Sequence, residues 1–231
     1  LMTIPPEYRS SIPDSAEERI VEAHEDGSKA RAEYWLDGQL VGMRRFFDSG
    51  EPSSDVALRS GKYHGVYYYW DEPGILMSAI PYENGKEHGP AHQWAHDGMY
   101  LGSYTMEHGT GIDLWRSACG GGGQSALSEV RYCRDGRRHG FEWWLCGDQR
   151  SVWEEGHYAD GKPHGILRQW NQHGRLRRGY PQYYVHGQRV TKRQYLRACQ
   201  LDPSLPPFSA EDNHPARNFP PEIEQHLGPH E

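Results

Sequence analysis

The chain repeats one short pattern along most of its length. The clearest copy is residues 82–89, Y-E-N-G-K-E-H-G, which is followed by Trp94 and Gly98. The first glycines of successive copies are Gly38, Gly61, Gly85, Gly109, Gly136, Gly161 and Gly187, at steps of 23, 24, 24, 27, 25 and 26 residues. Strands average about 5–6 residues, whereas helix-pair repeats need about 33 or 34, so this period suits two strands and two turns. The sequence therefore predicts a repeat protein made of β-hairpins.

The turn residues of each copy agree with this prediction. The first turn is an Asx-Gly pair in four copies: Asp37-Gly38, Asn84-Gly85, Asp135-Gly136 and Asp160-Gly161. These residues tolerate the positive φ that tight hairpin turns require. The segments between the turns are short and rich in Tyr, Trp, Phe and Val, as strands are. We expect a meander in which each hairpin pairs with the next.

The unit Y-x-x-G-x-x-x-G-x-x-x-x-W-x-x-x-G resembles the MORN repeat, in the form found in the bacterial YwqK-type antitoxin family. The resemblance covers roughly residues 19–190. It implies an all-β fold, an elongated single-layer antiparallel sheet of repeated hairpins that serves as a binding surface. The role it implies is neutralisation of a cognate toxin by direct binding. MORN arrays elsewhere act as scaffolds or membrane-surface adaptors, which is the alternative.

Composition shifts divide the chain into four parts. We expect a lead-in over residues 1–18, the repeat array over 19–190 and a short helix over 191–201 that caps the last strand. Residues 202–231 are rich in proline and acidic side chains, which predicts an extended or disordered tail. The run Gly120–Gly123 predicts a mobile loop inside the array, because ordering four glycines costs much backbone entropy.

Overall composition favours a thin, wet sheet over a thick core. Mean hydropathy is −0.92, yet there are 8 Trp and 15 Tyr residues, whose flat rings can cover both faces of a sheet. No run is long and apolar enough to span a bilayer, and no secretory segment is visible. The four cysteines show no CxxC spacing, so we expect free thiols in a reducing, cytoplasmic compartment.

Charge is spread unevenly along the chain. Residues 131–197 carry 14 Lys/Arg against 6 Asp/Glu, whereas the segments on either side are acidic and the whole chain is −7. The basic segment predicts a patch formed by Arg131, Arg134, Arg137, Arg138, Arg175, Arg177 and Arg178. Nucleic acid is disfavoured because the acidic flanks oppose phosphate, while an anionic membrane surface or an acidic protein stays open. The acidic tail could also lie along these units and mask them.

One aromatic column runs through the copies at the position before the second turn. With Tyr68 on the same face, it contains Phe46, Tyr68, Trp70, Trp94, Trp115, Trp143 and Trp170. A second column lies three residues before each first glycine and includes Trp35, Tyr82 and Tyr158. One column can be the internal packing seam while the other is exposed for binding. The first column is our candidate for partner contact.

Histidines recur as well, since His64, His88, His139 and His164 each precede the second glycine of a copy. Equivalent positions lie two strands apart, roughly 9–10 Å. One metal ion with ligands at about 2.0–2.3 Å cannot be shared across that distance, so we predict no metal site and no cofactor. No catalytic motif appears either. We therefore predict a non-enzymatic binding protein, with a toxin as its expected partner.

Overall fold

The computed structural model describes residues 7–119 and 124–228 and folds most of them into antiparallel strands. The chain forms two compact units, residues 1–109 and 110–231, called unit 1 and unit 2 below. The predicted all-β antiparallel fold with a short helix near the C-terminus is confirmed. The predicted loop at Gly120–Gly123 lies outside the described residues.

Unit 1 is a meander in which each long strand pairs with the next long strand in the chain. Its strands are β1 (Glu17–Ala23), β2 (Lys29–Leu36), β3 (Gln39–Phe46), β4 (Pro52–Arg59), β5 (Lys62–Tyr63), β6 (Gly65–Glu72), β7 (Ile75–Glu83), β8 (Lys86–Glu87), β9 (Gly89–Trp94) and β10 (Tyr100–Glu107). The two-residue strands β5 and β8 share a partner with the strand that follows them: β4 pairs with β5 and β6, and β7 pairs with β8 and β9.

Unit 2 continues the same pattern and ends in helices. Its elements are β11 (Thr110–Cys119), β12 (Gln124–Arg134), β13 (Arg137–Leu145), β14 (Val152–Ala159), β15 (Lys162–Pro163), β16 (Gly165–Gln169), β17 (Gln182–Val185), β18 (Gln188–Val190), α1 (Lys192–Ala198), a 3₁₀ turn (Glu211–Asn213) and α2 (Pro221–Glu224). Every strand pair is antiparallel. None of the helices within 7–119 and 124–228 combines the length and apolar character needed to cross a membrane.

The first turn of each copy has positive φ at both central residues, as the Asx-Gly pairs predict. At Asn84 and Gly85 the φ values are +52° and +83°. This is the geometry of a two-residue hairpin turn whose twist matches that of its strands. His108 and His186 occupy the same turn position with φ of +48° and +47°. Histidine tolerates this conformation better than most residues do.

Three of the four repeated histidines, His88, His139 and His164, tie neighbouring copies together. The backbone N–H of His108 donates to Nδ1 of His88 at 3.2 Å, and that of His186 donates to Nδ1 of His164 at 3.0 Å. Asp160 donates to His139 Nδ1 in the same way at 3.3 Å. Each imidazole thus accepts a turn amide from the next copy, a group that would otherwise lack a strand partner.

The lead-in folds back over one face of unit 1. Residues 14–16 form a turn, closed by a hydrogen bond from Ala16 N to Pro13 O at 3.0 Å, and β1 begins at Glu17. Ile12 is buried in a cluster with Tyr34 and Phe46. The lead-in therefore completes the core of the first copies, with Ile12 packed among residues that lie 22 and 34 positions later in the chain.

Helix α1 forms as predicted and covers the end of the array. Its N-cap Thr191 and Gln194 make a reciprocal capping box, which satisfies two amides that the first turn leaves free. Tyr195 is fully buried and packs in one cluster with Ile166, Tyr183 and Leu205.

The tail, which we expected to be extended or disordered, has little regular structure but packs on the strands of unit 2. Residues 202–228 pack on unit 2, and Leu205, Phe219 and Ile223 are buried. Trp170 Nε1 donates to the carbonyl of Asn213 at 2.8 Å, which ties the middle of the tail to the array. The average composition of the tail hid these widely spaced apolar anchors. Its prolines also reduce the backbone freedom lost on ordering.

Candidate functional site

The predicted aromatic column lies inside its own units. Six of its residues, Phe46, Tyr68, Trp70, Trp94, Trp143 and Trp170, are buried, and Trp115 is half-buried. Of the two alternatives that the sequence left open, the structure places this column at the internal packing seam. In unit 1 the lead-in contacts Phe46, Tyr68 and Trp70, whereas Trp94 packs against side chains of the strands. In unit 2 the tail contacts Trp143 and Trp170. These side chains are therefore poorly placed to touch a partner directly.

In unit 1 the cover is supplied by Tyr8 and Ser10. The Tyr8 ring makes edge contacts with Tyr68 and Trp70, with centroids 4.9 Å apart in each case. Its hydroxyl donates to Asp55 Oδ2 at 3.1 Å, and Ser10 Oγ donates to the same oxygen at 3.0 Å. Burial, together with the charge of Asp55, raises the pKa of Tyr8 to about 12, so the hydroxyl stays a donor at neutral pH.

A buried arginine–carboxylate pair recurs beside the column in both units. In unit 1, Arg44 Nη2 lies 2.6 Å from Oδ2 of the fully buried Asp55. In unit 2, Arg168 Nη1 lies 2.7 Å from Glu155 Oε1, and both residues are buried. Such pairs offset their desolvation only when further hydrogen bonds fill the remaining positions. The lead-in does this for Asp55, and the tail does it for Glu155 through Arg217 Nε at 2.6 Å.

The opposite face of unit 1 is open and carries tyrosine and arginine. We call it the tyrosine face, formed by Tyr63, Tyr67, Tyr69, Arg31 and Arg45. These side chains line a shallow groove of about 230 Å³. The Tyr63 and Tyr67 rings stack with centroids 6.1 Å apart, and Tyr63 and Tyr69 are 36% and 41% exposed. Arg45 is also exposed.

The sequence did not point us to the tyrosine face, because we took the mainly tryptophan column as the candidate for partner contact. Strand β6 reads Tyr67-Tyr68-Tyr69-Trp70, and successive side chains in a strand point to opposite faces. Tyr68 and Trp70 therefore enter the seam while Tyr67 and Tyr69 point away from it. The available signal was this uninterrupted aromatic run, which marks a strand with rings on both faces.

Unit 2 has a partly open cavity between its sheet and the tail. Its volume is about 630 Å³, and its lining includes Phe141, Trp143, Arg168 and Arg217. The cavity exists because Pro206, Pro207 and Pro220 of the tail close over the sheet.

The seven predicted basic residues do not form one patch. Arg131, Arg134, Arg137 and Arg138 lie on the β12–β13 hairpin, and Arg175, Arg177 and Arg178 lie between β16 and β17. Three of the hairpin arginines are paired: Arg131 with Asp113 and Glu129, Arg134 with Asp160, and Arg138 with Glu142. Within residues 7–119 and 124–228, no ion pair joins any of the seven to a carboxylate of the tail. Among these residues, therefore, no ion pair supports the prediction that the acidic tail masks the basic units.

Burial shapes the charge state of this hairpin. Burial raises the pKa of Glu129 to about 7, although Arg131 and its hydrogen bond act to lower it. Arg137, Arg175, Arg177 and Arg178 are exposed, and the described residues offer them no ion-pair partner. Of the seven predicted basic residues, Arg175, Arg177 and Arg178 are thus three exposed arginines that have no ion-pair partner among the described residues and lie within four residues of one another.

Two clusters bring a pair of histidines to a carboxylate. His88 and His108 stack at 4.0 Å, and Glu83 Oε2 lies 3.6 Å from a ring nitrogen of each. In unit 2, His164, His186 and Asp202 repeat the arrangement, with rings 4.3 Å apart. In each cluster the three ligand atoms lie within 4.8 Å of one another.

Such sets of two imidazoles and one carboxylate can hold a divalent metal. Our sequence argument compared only equivalent histidines, so it overlooked pairs in which His108 or His186 comes from the turn of the next copy. At His164, burial and then the nearby His186 lower the pKa, which favours the neutral form.

Comparison with known proteins gives no information on the role of these sites. The sequence matches no protein-family model, and a search of the curated proteins finds no relative for it.

Proposed function

We propose that this chain is a non-enzymatic protein-binding repeat protein that contacts its partner through the tyrosine face. One observation carries the proposal: three tyrosines and two arginines lie together on the face of unit 1 that the lead-in leaves uncovered. Tyrosine and arginine are enriched at the energetic centres of protein interfaces. Because the aromatic column is packed on the other side of the sheet, these rings are held in place and lose little conformational entropy when a partner binds.

The role that we propose is that of an antitoxin or immunity protein acting in the cytoplasm. It rests on the resemblance of the repeat to MORN units of the YwqK type. The mechanism would be steric: the rigid sheet covers the active cleft of a cognate toxin. Arg31 and Arg45 suit an acidic rim on that partner, and such charge complementarity raises the association rate more than the final affinity.

A second candidate is a scaffold that docks on an anionic membrane surface. The observation that favours it is the run of three exposed arginines, Arg175, Arg177 and Arg178, between β16 and β17. Each basic residue close to an anionic bilayer contributes about 1 kcal/mol, so three of them give weak, salt-sensitive binding. This candidate predicts binding to anionic vesicles that is lost when the three arginines are changed to glutamine.

The experiment compares three tagged proteins as baits in a lysate of the native host, with the captured proteins identified by mass spectrometry. They are the unaltered chain, the double variant Tyr63→Ser/Tyr69→Ser, and the control Trp153→Ser, which changes an exposed aromatic of unit 2. We expect one stoichiometric partner on the unaltered chain and the control, and its loss from the double variant. That partner should be toxic when expressed alone and harmless when co-expressed with this chain.

Two outcomes would contradict binding of a protein partner through the tyrosine face. A partner that the double variant retains would place the contact elsewhere. Capture of anionic vesicles in place of one protein would favour the scaffold. All three baits should unfold cooperatively, and the variant and the control should show similarly small losses of stability, because each loses ring contacts at a partly exposed site.

A further inference from the structure

The cavity of unit 2 contains an arginine with one unused edge. Arg168 is 97% buried, and its Nη1 donates to Glu155 at 2.7 Å. Its Nε and Nη2 have no hydrogen-bond partner in the part of the chain that the structure describes. The closest carboxylate on that side is Asp212, whose Oδ2 is 3.6 Å from Nη2. A buried donor without a hydrogen-bond partner is destabilising, so this edge favours an acceptor. Both nitrogens are shielded by their neighbours, and a ligand would reach them by displacing the Asp212 carboxylate.

The geometry of the free edge selects the acceptor. Nε and Nη2 lie side by side on the planar guanidinium, and their two N–H groups form a fork. A carboxylate presents two oxygens at matching spacing and binds such a fork through two parallel hydrogen bonds. A neutral amide or alcohol offers only one strong acceptor to the same fork.

Glu155 does not serve the free edge, because it contacts Arg168 through Nη1 and two other donors already bind its carboxylate. It accepts from Arg168, from Arg217 Nε at 2.6 Å and from Trp143 Nε1 at 2.9 Å. Burial acts to raise the pKa of Glu155, but the hydrogen bond and charge of Arg217 and the charge of Arg168 hold it below its usual value. One ionised carboxylate thus faces two guanidinium groups.

The rest of the cavity is suited to an apolar body. The rings of Phe141 and Trp143 stack with centroids 5.0 Å apart, and Ile166, Pro206, Pro207 and Pro220 complete much of the lining. The volume of about 630 Å³ lies within the usual range of small-ligand sites, about 300–1,000 Å³.

We propose that this cavity binds a carboxylate joined to an apolar or aromatic body, with the carboxylate on the Nε–Nη2 edge of Arg168 and the body against Phe141. Two sources offer this chemistry: a small aromatic acid, and the free C-terminus of a peptide that ends in an apolar residue. This site is distinct from the tyrosine face, and it stands whether or not that face binds a partner.

Asp212 makes the proposal testable by a gain of affinity. Its side chain is 46% exposed, and its carboxylate is the one that a bound ligand would displace from the neighbourhood of Arg168. Replacing it by asparagine removes this competitor and its repulsion while keeping the size of the side chain. A misfolded protein cannot mimic tighter binding.

The experiment titrates the full chain with phenylacetate, phenylacetamide and acetate, following tryptophan fluorescence and the heat of binding. Phenylacetate should bind at least about tenfold more tightly than phenylacetamide, because hydrogen bonds to a charged group are worth more than neutral ones. Acetate, which lacks the apolar body, should bind more weakly than phenylacetate. Asp212→Asn should tighten phenylacetate binding several-fold, and Arg168→Lys should weaken it about tenfold or more.

Arg175→Lys is the matched control, since it makes the same change at an exposed arginine outside the cavity, and it should leave binding unaltered. A peptide ending in Phe with a free carboxylate, compared with its amide, separates the two sources: stronger binding than phenylacetate assigns the site to a C-terminus, and weaker binding assigns it to a small acid. Equal affinity for phenylacetate and phenylacetamide would overturn the proposal. So would an Asp212→Asn protein that binds phenylacetate no better than the original, even if Arg168→Lys fails to fold.

Discussion

Replacing Phe219 by alanine should undock the tail from unit 2. Phe219 is 5% exposed, and its ring meets Trp143 edge-on with centroids 5.5 Å apart. Truncating a buried phenylalanine costs about 3–5 kcal/mol, of which the aromatic pair accounts for about 0.5–1.5 kcal/mol. The tail is a single segment held by a few anchors, so the loss in unfolding free energy cannot exceed its docking free energy.

Two assays together measure this effect. Urea unfolding followed by tryptophan fluorescence gives the change in stability, and Trp143 should also become more exposed before the main transition. Limited proteolysis with mass spectrometry should detect new cleavage between residues 205 and 225. Leu201→Ala is the control, since Leu201 is 88% exposed and its change should stay within about 0.5 kcal/mol. If Phe219→Ala also stays within that range and the tail resists protease, the packing argument for the tail is refuted.

Two further predictions concern other parts of the chain. Gly42→Ala should lower the unfolding free energy by about 1–3 kcal/mol, because the new Cβ would lie 2.6 Å from Cγ1 of Ile12 and push the lead-in away. Thermal unfolding measures this loss, and an unchanged midpoint would contradict the contact. Stability should also fall as pH drops below about 6.5, the pKa of an unfolded histidine, because the pKa of His164 is lowered in the folded state and the unfolded chain takes up the proton first. His164→Asn should reduce this pH dependence between pH 7.5 and 5.5, and an unaltered slope would assign it to other groups.

The features that the sequence predicted well are those set by local chemistry. The period, the positive-φ turns and the helix behind Thr191 depend on residues within a few positions of one another. The burial of each sheet face was not predictable in this way. It depends on the lead-in and the tail, where Tyr8 meets Tyr68 sixty residues later and Arg217 meets Glu155 sixty-two residues earlier.

The candidate sites also divide into features set by local sequence and features that depend on distant segments. The histidine repeat was visible, and its role in accepting turn amides follows from its spacing. The pairing of His88 with His108 was missed because the partner occupies a different position in the next copy. The cavity at Arg168 was not foreseeable, since its roof is a segment whose average composition suggests disorder.

The lead-in and the tail, which cover parts of the aromatic column, emerge at different times during synthesis. The lead-in leaves the ribosome before the strands it covers, so it is ready when the first copies pair. The tail leaves after the strands it covers, and until residues 205–223 have emerged, Trp143 and Trp170 lack the groups that shield them. At about 5–20 residues per second this window lasts seconds. Nascent chains stalled before residue 205 would therefore display aromatic surface to chaperones and proteases, whereas completed chains would hide it.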